Sequence, residues 1–349
     1  MHAIASISQS ALTHNLSVVK QLTPGAKVVS MIKANAYGHH LDCIHPLVDG
    51  SDRLAVSELS EAEKLRAITQ RPILLLSGVY SEGELQRAIS LDCHIVVHHT
   101  SQIAIINSTQ QAVNVWLKID TGMHRLGLSA TEYKECLSLF EANSLVKVAC
   151  VMSHFACADE VDHPMNETQL NNFKALTVKA NNRSIANSAA ILSQTEIAFD
   201  FVRPGIMLYG ASPFNTPDNK LKPVMKLSAP ILSIKTLKAG ESVGYGATWV
   251  ADKDTTLAVI GIGYGDGYPR HAKNGTPVLI NGVLCPLIGR VSMDLICVDI
   301  SSAKASVGDS AVLWGDEQLR VEVVANNSDT ISYELLTGLS ARVSFTSVP

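Results

Sequence analysis

Over the first 209 residues, apolar positions alternate between two periods. Short apolar, β-branched runs that read as strands fall at 28–33, 54–57, 73–77, 94–97, 115–119, 146–152, 184–186 and 199–203. Between most of them apolar residues recur at helical spacing: 10–22 (Leu12, Leu16, Val19, Leu22), 58–68 (Leu59, Ala62, Leu65), 82–90, 131–142 and 167–179. Eight strands alternating with helices predict a parallel sheet, and eight is the number that closes a (β/α)8 TIM barrel. An open doubly wound sheet is the alternative; the lack of a GxGxxG fingerprint after any early strand counts against it.

Beyond Tyr209 the rhythm changes. Pro213, Pro217 and Pro223 punctuate a polar stretch at 215–222 that reads as a linker. Short strands with turn signals follow at 231–237, 257–262, 278–280, 283–285, 295–300 and 311–313, and Asn281-Gly282 marks a type I′ hairpin. A helical turn is expected near 331–336. The chain is therefore divided into a barrel over 1–222 and an all-β domain over 223–349. An alternating segment at 3–8 is left free to pair with the second domain.

Composition narrows this picture by exclusion. Of 349 residues, 46% are hydrophobic and 17% charged, a globular balance, and the net charge of −4 advertises no nucleic acid. No apolar run approaches the ~18 residues of a membrane span, and the start Met1-His2-Ala3-Ile4-Ala5 lacks the pattern of a secretory signal. The seven cysteines form no CxxC pair, so a reduced, cytoplasmic protein is expected. His39-His40 and His98-His99 lack the spacing of metal ligands, and no metal is expected.

Barrel enzymes place their working groups at the C-terminal ends of the strands. The first strand run ends on Lys33. A lysine loses its charge on burial, by up to roughly 3–5 pKa units, and a neutral amine attacks carbonyls and takes protons. The ordinary alternative is an ammonium that snorkels to water. The fifth run ends in a polar, cation-rich loop from Lys118 through Arg125 to Gly127, the sixth in Ser153-His154, the seventh in Asn187-Ser188-Ala189 and the eighth in Arg203-Pro204-Gly205-Ile206. Loops after the last two strands of this fold most often hold a phosphate. A phosphate near Ser188 and Gly205, with a lysine at the first strand, suggests a phosphorylated aldehyde bound as a Schiff base, which describes pyridoxal 5′-phosphate (PLP).

The segment Ile32-Lys33-Ala34-Asn35-Ala36-Tyr37-Gly38-His39 resembles the PLP-attachment motif of the bacterial alanine racemases. Blocks at 118–127, 153–156, 187–190, 202–210, 244–248, 263–267, 289–294 and 331–334 are similar to that family's other motifs, in its order. The resemblance implies an N-terminal PLP barrel, a C-terminal β domain and a homodimer whose active sites join one subunit's barrel to the other's β domain. It implies that Lys33 holds PLP and serves the D-alanine face, while the partner subunit's Tyr245 serves the L-alanine face, aided by His154. A phenol titrating near pH 10 needs such help to act as a base. Arg203 would face the pyridine nitrogen, keeping it unprotonated and muting the ring as an electron sink. Tyr37, Ser188, Gly205, Ile206 and Tyr333 would surround the phosphate. Arg125 would reach the cofactor's phenolic oxygen and the substrate carboxylate, which a backbone amide of Met293 would also bind. Tyr264, with the partner subunit's Met293 and the partner subunit's Asp294, would line the substrate entrance. Lys118 occupies a position carbamylated in many members.

Three positions depart from common family patterns: Ser184 where some members carry a histidine behind the pyridine-facing arginine, Gly265 in place of a frequent alanine, and Ala341 where proline is common. The implied activity is PLP-dependent interconversion of L- and D-alanine, supplying D-alanine to peptidoglycan or serving alanine catabolism. A broader racemase acting on serine, lysine or arginine is the nearest alternative. A PLP-carrier protein is a more distant one, because a carrier needs no second base.

Overall fold

The computed structural model describes residues 3–194 and 197–349. The chain falls into two compact units, one made of Leu16–Ala36 and His45–Leu208, the other of the segment up to Asn15 together with Tyr37–Ile44 and Tyr209–Pro349.

The first strand, β1 (Ile4–Ser8), belongs to the second unit. The first unit is built on eight parallel strands: β2 (Lys27–Met31), β3 (Arg53–Val56), β4 (Ile73–Leu75), β5 (Cys93–Val97), β6 (Val113–Lys118), β7 (Val146–Met152), β8 (Arg183–Ser184) and β9 (Phe201–Val202). They run in the order β8-β7-β6-β5-β4-β3-β2-β9. Arg203 N–H donates to Ala186 O at 3.0 Å and joins the two ends into a barrel. Helices cover such strands from outside while side chains fill the inside, so the strands read as nearly unbroken apolar runs. Leu54, Leu74, Ile95, Val96, Val115 and Leu117 are all fully buried.

The helices start where side chains satisfy their first N–H groups. Ser81 Oγ accepts from Glu84 N–H at 3.2 Å ahead of the helix Glu82–Ser90. Ser129 and Glu132 cap each other at the start of Ala130–Glu141. The helix expected at 167–179 instead spans Pro164–Leu176. His163 Nδ1 accepts from Met165 N–H at 3.2 Å, and Pro164 takes the first helical position, where its missing N–H costs nothing.

Immediately after β2 the chain departs from any expectation. Ala34, Asn35, Ala36 and Tyr37 have φ of 53°, 51°, 58° and 52°, a left-handed turn without a glycine, and Gly38 follows at 79°. Left-handed backbone costs an L-residue roughly 1–2 kcal/mol each, so this turn must be held by its surroundings.

In the second unit, the long strand β10 (Met225–Leu237) organises the sheet. A separate ladder pairs β11 (Ser242–Val243) with β12 (Trp249–Val250). β10 pairs antiparallel with β1, β13 (Thr255–Ile260) and β17 (Ser310–Trp314). β14 (Pro277–Ile280) and β15 (Val283–Pro286) form the expected hairpin, with Asn281 and Gly282 at φ 46° and 81° as a type I′ turn requires. β16 (Ile296–Asp299) adds to β13, and β18 (Ser344–Val348) lies parallel to β1. Two short helices, Val321–Asn326 and Ser332–Thr337, complete the unit; only the second was expected. Among the described residues no helix is long and apolar enough to cross a membrane.

Candidate active site

The C-terminal ends of the barrel strands gather four cations. Lys33 follows β2, Lys118 ends β6, Arg203 follows β9, and Arg125 sits in the loop after β6. That loop is closed on itself by Asp120 N–H donating to Leu128 O at 2.9 Å and Leu128 N–H to Lys118 O at 2.8 Å. Gly127, at φ 140°, is required there because a Cβ would stand 2.5 Å from Asp120 N.

Arg203 is the best defined of the four and is 4% exposed. Its Nη1 donates to Ser184 Oγ at 2.6 Å, and its Nη2 donates to Ser153 O, to Ile185 O at 3.4 Å and to His154 Nδ1 at 3.3 Å. Ser184 Oγ–H is spent on Phe201 O at 2.8 Å, which leaves the oxygen's lone pair to receive the arginine. Ser184 therefore does for Arg203 what a histidine would do. Among the described residues no carboxylate pairs with Arg203, and burial draws its pKa down to about 10. It remains a cation at neutral pH.

An arginine can only donate, so His154 Nδ1 is an acceptor and the imidazole proton sits on Nε2. Burial, Arg203, Lys118, Arg125 and Lys33 all hold His154 neutral, well below the ordinary histidine range. Burial and then Arg203 and Arg125 lower Lys118 to about 8, with Asp120 opposing. Lys33 is lowered by burial and Arg125, with Glu61 opposing. The mouth thus offers two amines poised to lose their protons in a field that attracts anions.

At β8 and β9, Ser188 opens the helix Ser188–Ser193 and is buried. Its Oγ accepts from Gly205 N–H at 2.8 Å and lies 3.5 Å from Met207 N, leaving the hydroxyl proton to donate. Ile206, between Gly205 and Met207, is fully buried and starts a single turn, Ile206–Tyr209.

One supporting residue escaped the sequence reading. Gln169 is fully buried on the helix Pro164–Leu176. Its Oε1 accepts from Ala156 N–H at 2.8 Å, and its Nε2 donates to His154 O at 3.0 Å and to Thr121 Oγ1 at 3.4 Å. Thr121 Oγ1 lies 2.8 Å from Ser153 Oγ, which donates to Ile119 O at 2.9 Å. This one-directional chain ties the loop bearing His154 to the loop bearing Arg125. The available signal was a glutamine placed, with Asn166 and Phe173, on the buried stripe of its helix.

The remaining candidates lie in the other unit, in three places. The Tyr37 ring stacks on Tyr209 at 4.9 Å and lies 6.1 Å from Tyr333. Burial lifts the Tyr37 phenol to about 12, which keeps it a neutral donor. Tyr264, Met293 and Asp294 share a second cluster. Tyr264 N–H donates to Ser292 O at 3.1 Å, Gly265 N–H to Met293 O at 2.8 Å, and Arg342 Nη2 to Asp294 at 2.7 Å. A Cβ on Gly265 would come within 2.5 Å of Arg342 Nη1, so the usual alanine is excluded while Arg342 holds that pose. Tyr245 stands on its own turn, 70% exposed, between Gly244 and Gly246 at φ 72° and 73°.

Both units are matched by known families. The alanine racemase N-terminal domain profile covers residues 7–213, and the C-terminal domain profile covers residues 224–347. An alanine racemase of Vesicomyosocius okutanii is 66% identical over 347 residues, 99% of each chain. The solved alanine racemase of Acinetobacter baumannii superposes at a TM-score of 0.96 with 40% identity over 100% of both chains. That of Bartonella henselae, solved with covalently bound pyridoxal phosphate, superposes at 0.91 with 31% identity over 100% of both chains. With both of its parts matched, the chain belongs to the alanine racemase family, isomerases that interconvert L- and D-alanine with PLP as cofactor.

Proposed function

We propose that racemisation here runs between two bases on opposite faces of the substrate, Lys33 and the partner subunit's Tyr245, in a homodimer. The observation that carries this reading is Arg203, buried and held by Ser184, Ser153 and His154 with no carboxylate pairing it among the described residues. The residues fit PLP on their own chemistry. Lys33 offers an amine of lowered pKa, Ser188 a buried hydroxyl with its proton to give, and the field is positive for a phosphate.

PLP supplies, when bound, an electron-withdrawing ring that acidifies the alanine Cα–H. Lys33 Nζ would hold the cofactor and, as a free amine, would move the Cα proton on the D-alanine side. The partner subunit's Tyr245 phenol moves the proton on the L-alanine side. His154 keeps its proton on Nε2 and so has a donor to offer that phenol's oxygen. Arg203 donates to the pyridine nitrogen without surrendering a proton, which favours brief charge build-up and faithful return of the proton. Ser188 through its hydroxyl proton, the Ile206 amide, Tyr37 and Tyr333 would bind phosphate, with Gly205 N–H holding Ser188 Oγ in place. Arg125 and an amide of the partner subunit's Met293 would bind the substrate carboxylate, while Tyr264 and the partner subunit's Asp294 would shape its entrance. All seven cysteines are free thiols, which supports a reducing, cytoplasmic setting.

The shared site is tested by mixing Lys33→Ala with Tyr245→Ala protein. Each heterodimer regains one intact site of its two, so random exchange should restore about a quarter of the parent activity. Demonstrated heterodimers without activity would refute the arrangement.

Lys118 is proposed to carry a carbamate: its neutral amine adds CO2 and releases one proton, placing an anion beside Arg125 and Arg203. In 13C-bicarbonate the protein should show one carbamate carbon signal that Lys118→Ala lacks. No such signal in the parent would refute it.

A further inference from the structure

Glu61 belongs to an ordinary helix start. Its Oε2 accepts from Ser57 N–H at 2.9 Å and Glu58 N–H at 3.2 Å, capping the helix Leu59–Arg66. Its other oxygen has a different task. Oε1 accepts from Ala34 N–H at 2.6 Å, and Ala34 is the residue that follows Lys33 and begins the left-handed turn. A second bond, Ala36 N–H to Ile32 O at 2.8 Å, holds the same turn from within.

Four successive left-handed residues without glycine persist only where contacts over-determine them. The charge-assisted bond to Ala34 is such a contact, and it sets the direction in which the chain presents Lys33. The same carboxylate is the negative group acting on Lys33. Facing that amine from the other elements are Arg125, a cation, His154, which is neutral, and Lys118, a cation as the free amine and an anion once it carries the carbamate.

We propose that Glu61 is a positioning residue for racemisation: one carboxylate clamps the backbone beside Lys33 and supplies the negative charge that balances the cations around its amine. The proposal rests on Lys33 being the reactive amine. It makes helix Leu59–Arg66 part of the active site although no side chain of that helix need touch substrate.

Two variants of the holoenzyme test it. Glu61→Ala removes the acceptor, so hydrogen exchange at the Ala34 amide should accelerate by at least about 10-fold. Glu61→Gln keeps the shape and one acceptor oxygen but drops the charge. Loss of a nearby anion disfavours the protonated amine, so the Lys33 limb of the kcat pH profile, which reports the substrate-bound enzyme with that amine free, should move to lower pH by about 0.5–1 unit. A purely structural role would leave that limb in place. A superimposable Glu61→Gln profile, or unchanged Ala34 exchange in Glu61→Ala, overturns the proposal. Ala34 exchange reports the clamp whatever Lys33 does, and Lys33→Ala reports the amine separately, so the two failures are told apart.

Discussion

Replacing Lys33 with alanine should abolish the visible absorbance of the lysine-held cofactor and lower turnover by at least about 10⁴-fold, because one group is both the anchor and a base. The amine stands at the end of β2, with burial and Arg125 lowering its pKa. Lys118, the other amine in the mouth, ends β6, where the loop closure from Leu128 N–H to Lys118 O at 2.8 Å fixes its backbone. Absorbance spectra and chiral chromatography of the purified variant read the outcome. A variant that keeps full turnover in both directions would remove Lys33 from the mechanism.

Changing Tyr245 to phenylalanine should have an effect that depends on which enantiomer is watched. L- and D-alanine have equal free energy, so loss of one base must slow racemisation equally in both directions. Exchange of the Cα hydrogen with solvent is not bound in this way. In D2O, D-alanine should still lose its Cα proton through Lys33, whereas L-alanine exchange should fall by about 10²–10⁴-fold, the usual worth of a general base. Proton NMR of each enantiomer follows this directly. A small, equal loss for both would leave Tyr245 as a wall of the site. Its setting suits the larger effect, since the ring is 70% exposed on a turn fixed by two left-handed glycines.

The barrel was legible because its strands are covered on both faces and so read as plain apolar runs. The run at 146–152 coincides with β7, and the helical run at 82–90 coincides with Glu82–Ser90. The errors have local causes. The helix placed at 167–179 begins at Pro164 because a proline and a histidine cap open it before its apolar stripe starts. β10 begins at Met225 rather than 231 and runs through Pro230. The proline is accommodated between two register shifts, at Leu227/Ser228 and Ile231/Ser233.

The positions of Lys33, of the cationic loop and of the loops after β8 and β9 could be read because barrel strand ends are predictable positions. The turn at Ala34–Tyr37 could not, for no glycine announces its positive φ values. Nor could Gln169 or Glu61 be read as site residues. Their partners come from other loops, and hydrogen bonds of that kind leave no periodic trace in a sequence. Ser184 was visible as a departure, and its hydroxyl at 2.6 Å from Arg203 explains how the departure is tolerated.

The pairing of β1 with β18 has a consequence for biogenesis. Ile4 through Ser8 lie beside Ser344 through Val348, so the first of the described strands is flanked by the last, some 340 residues later. Its edge stays open until β18 is made, with β10 as its one earlier neighbour. Closing a loop of this length is slow, and an open strand edge in a nascent chain invites mispairing. The second unit can therefore be sealed only after β18 has been made, and loss of β18 would leave β1 permanently at the rim of its sheet.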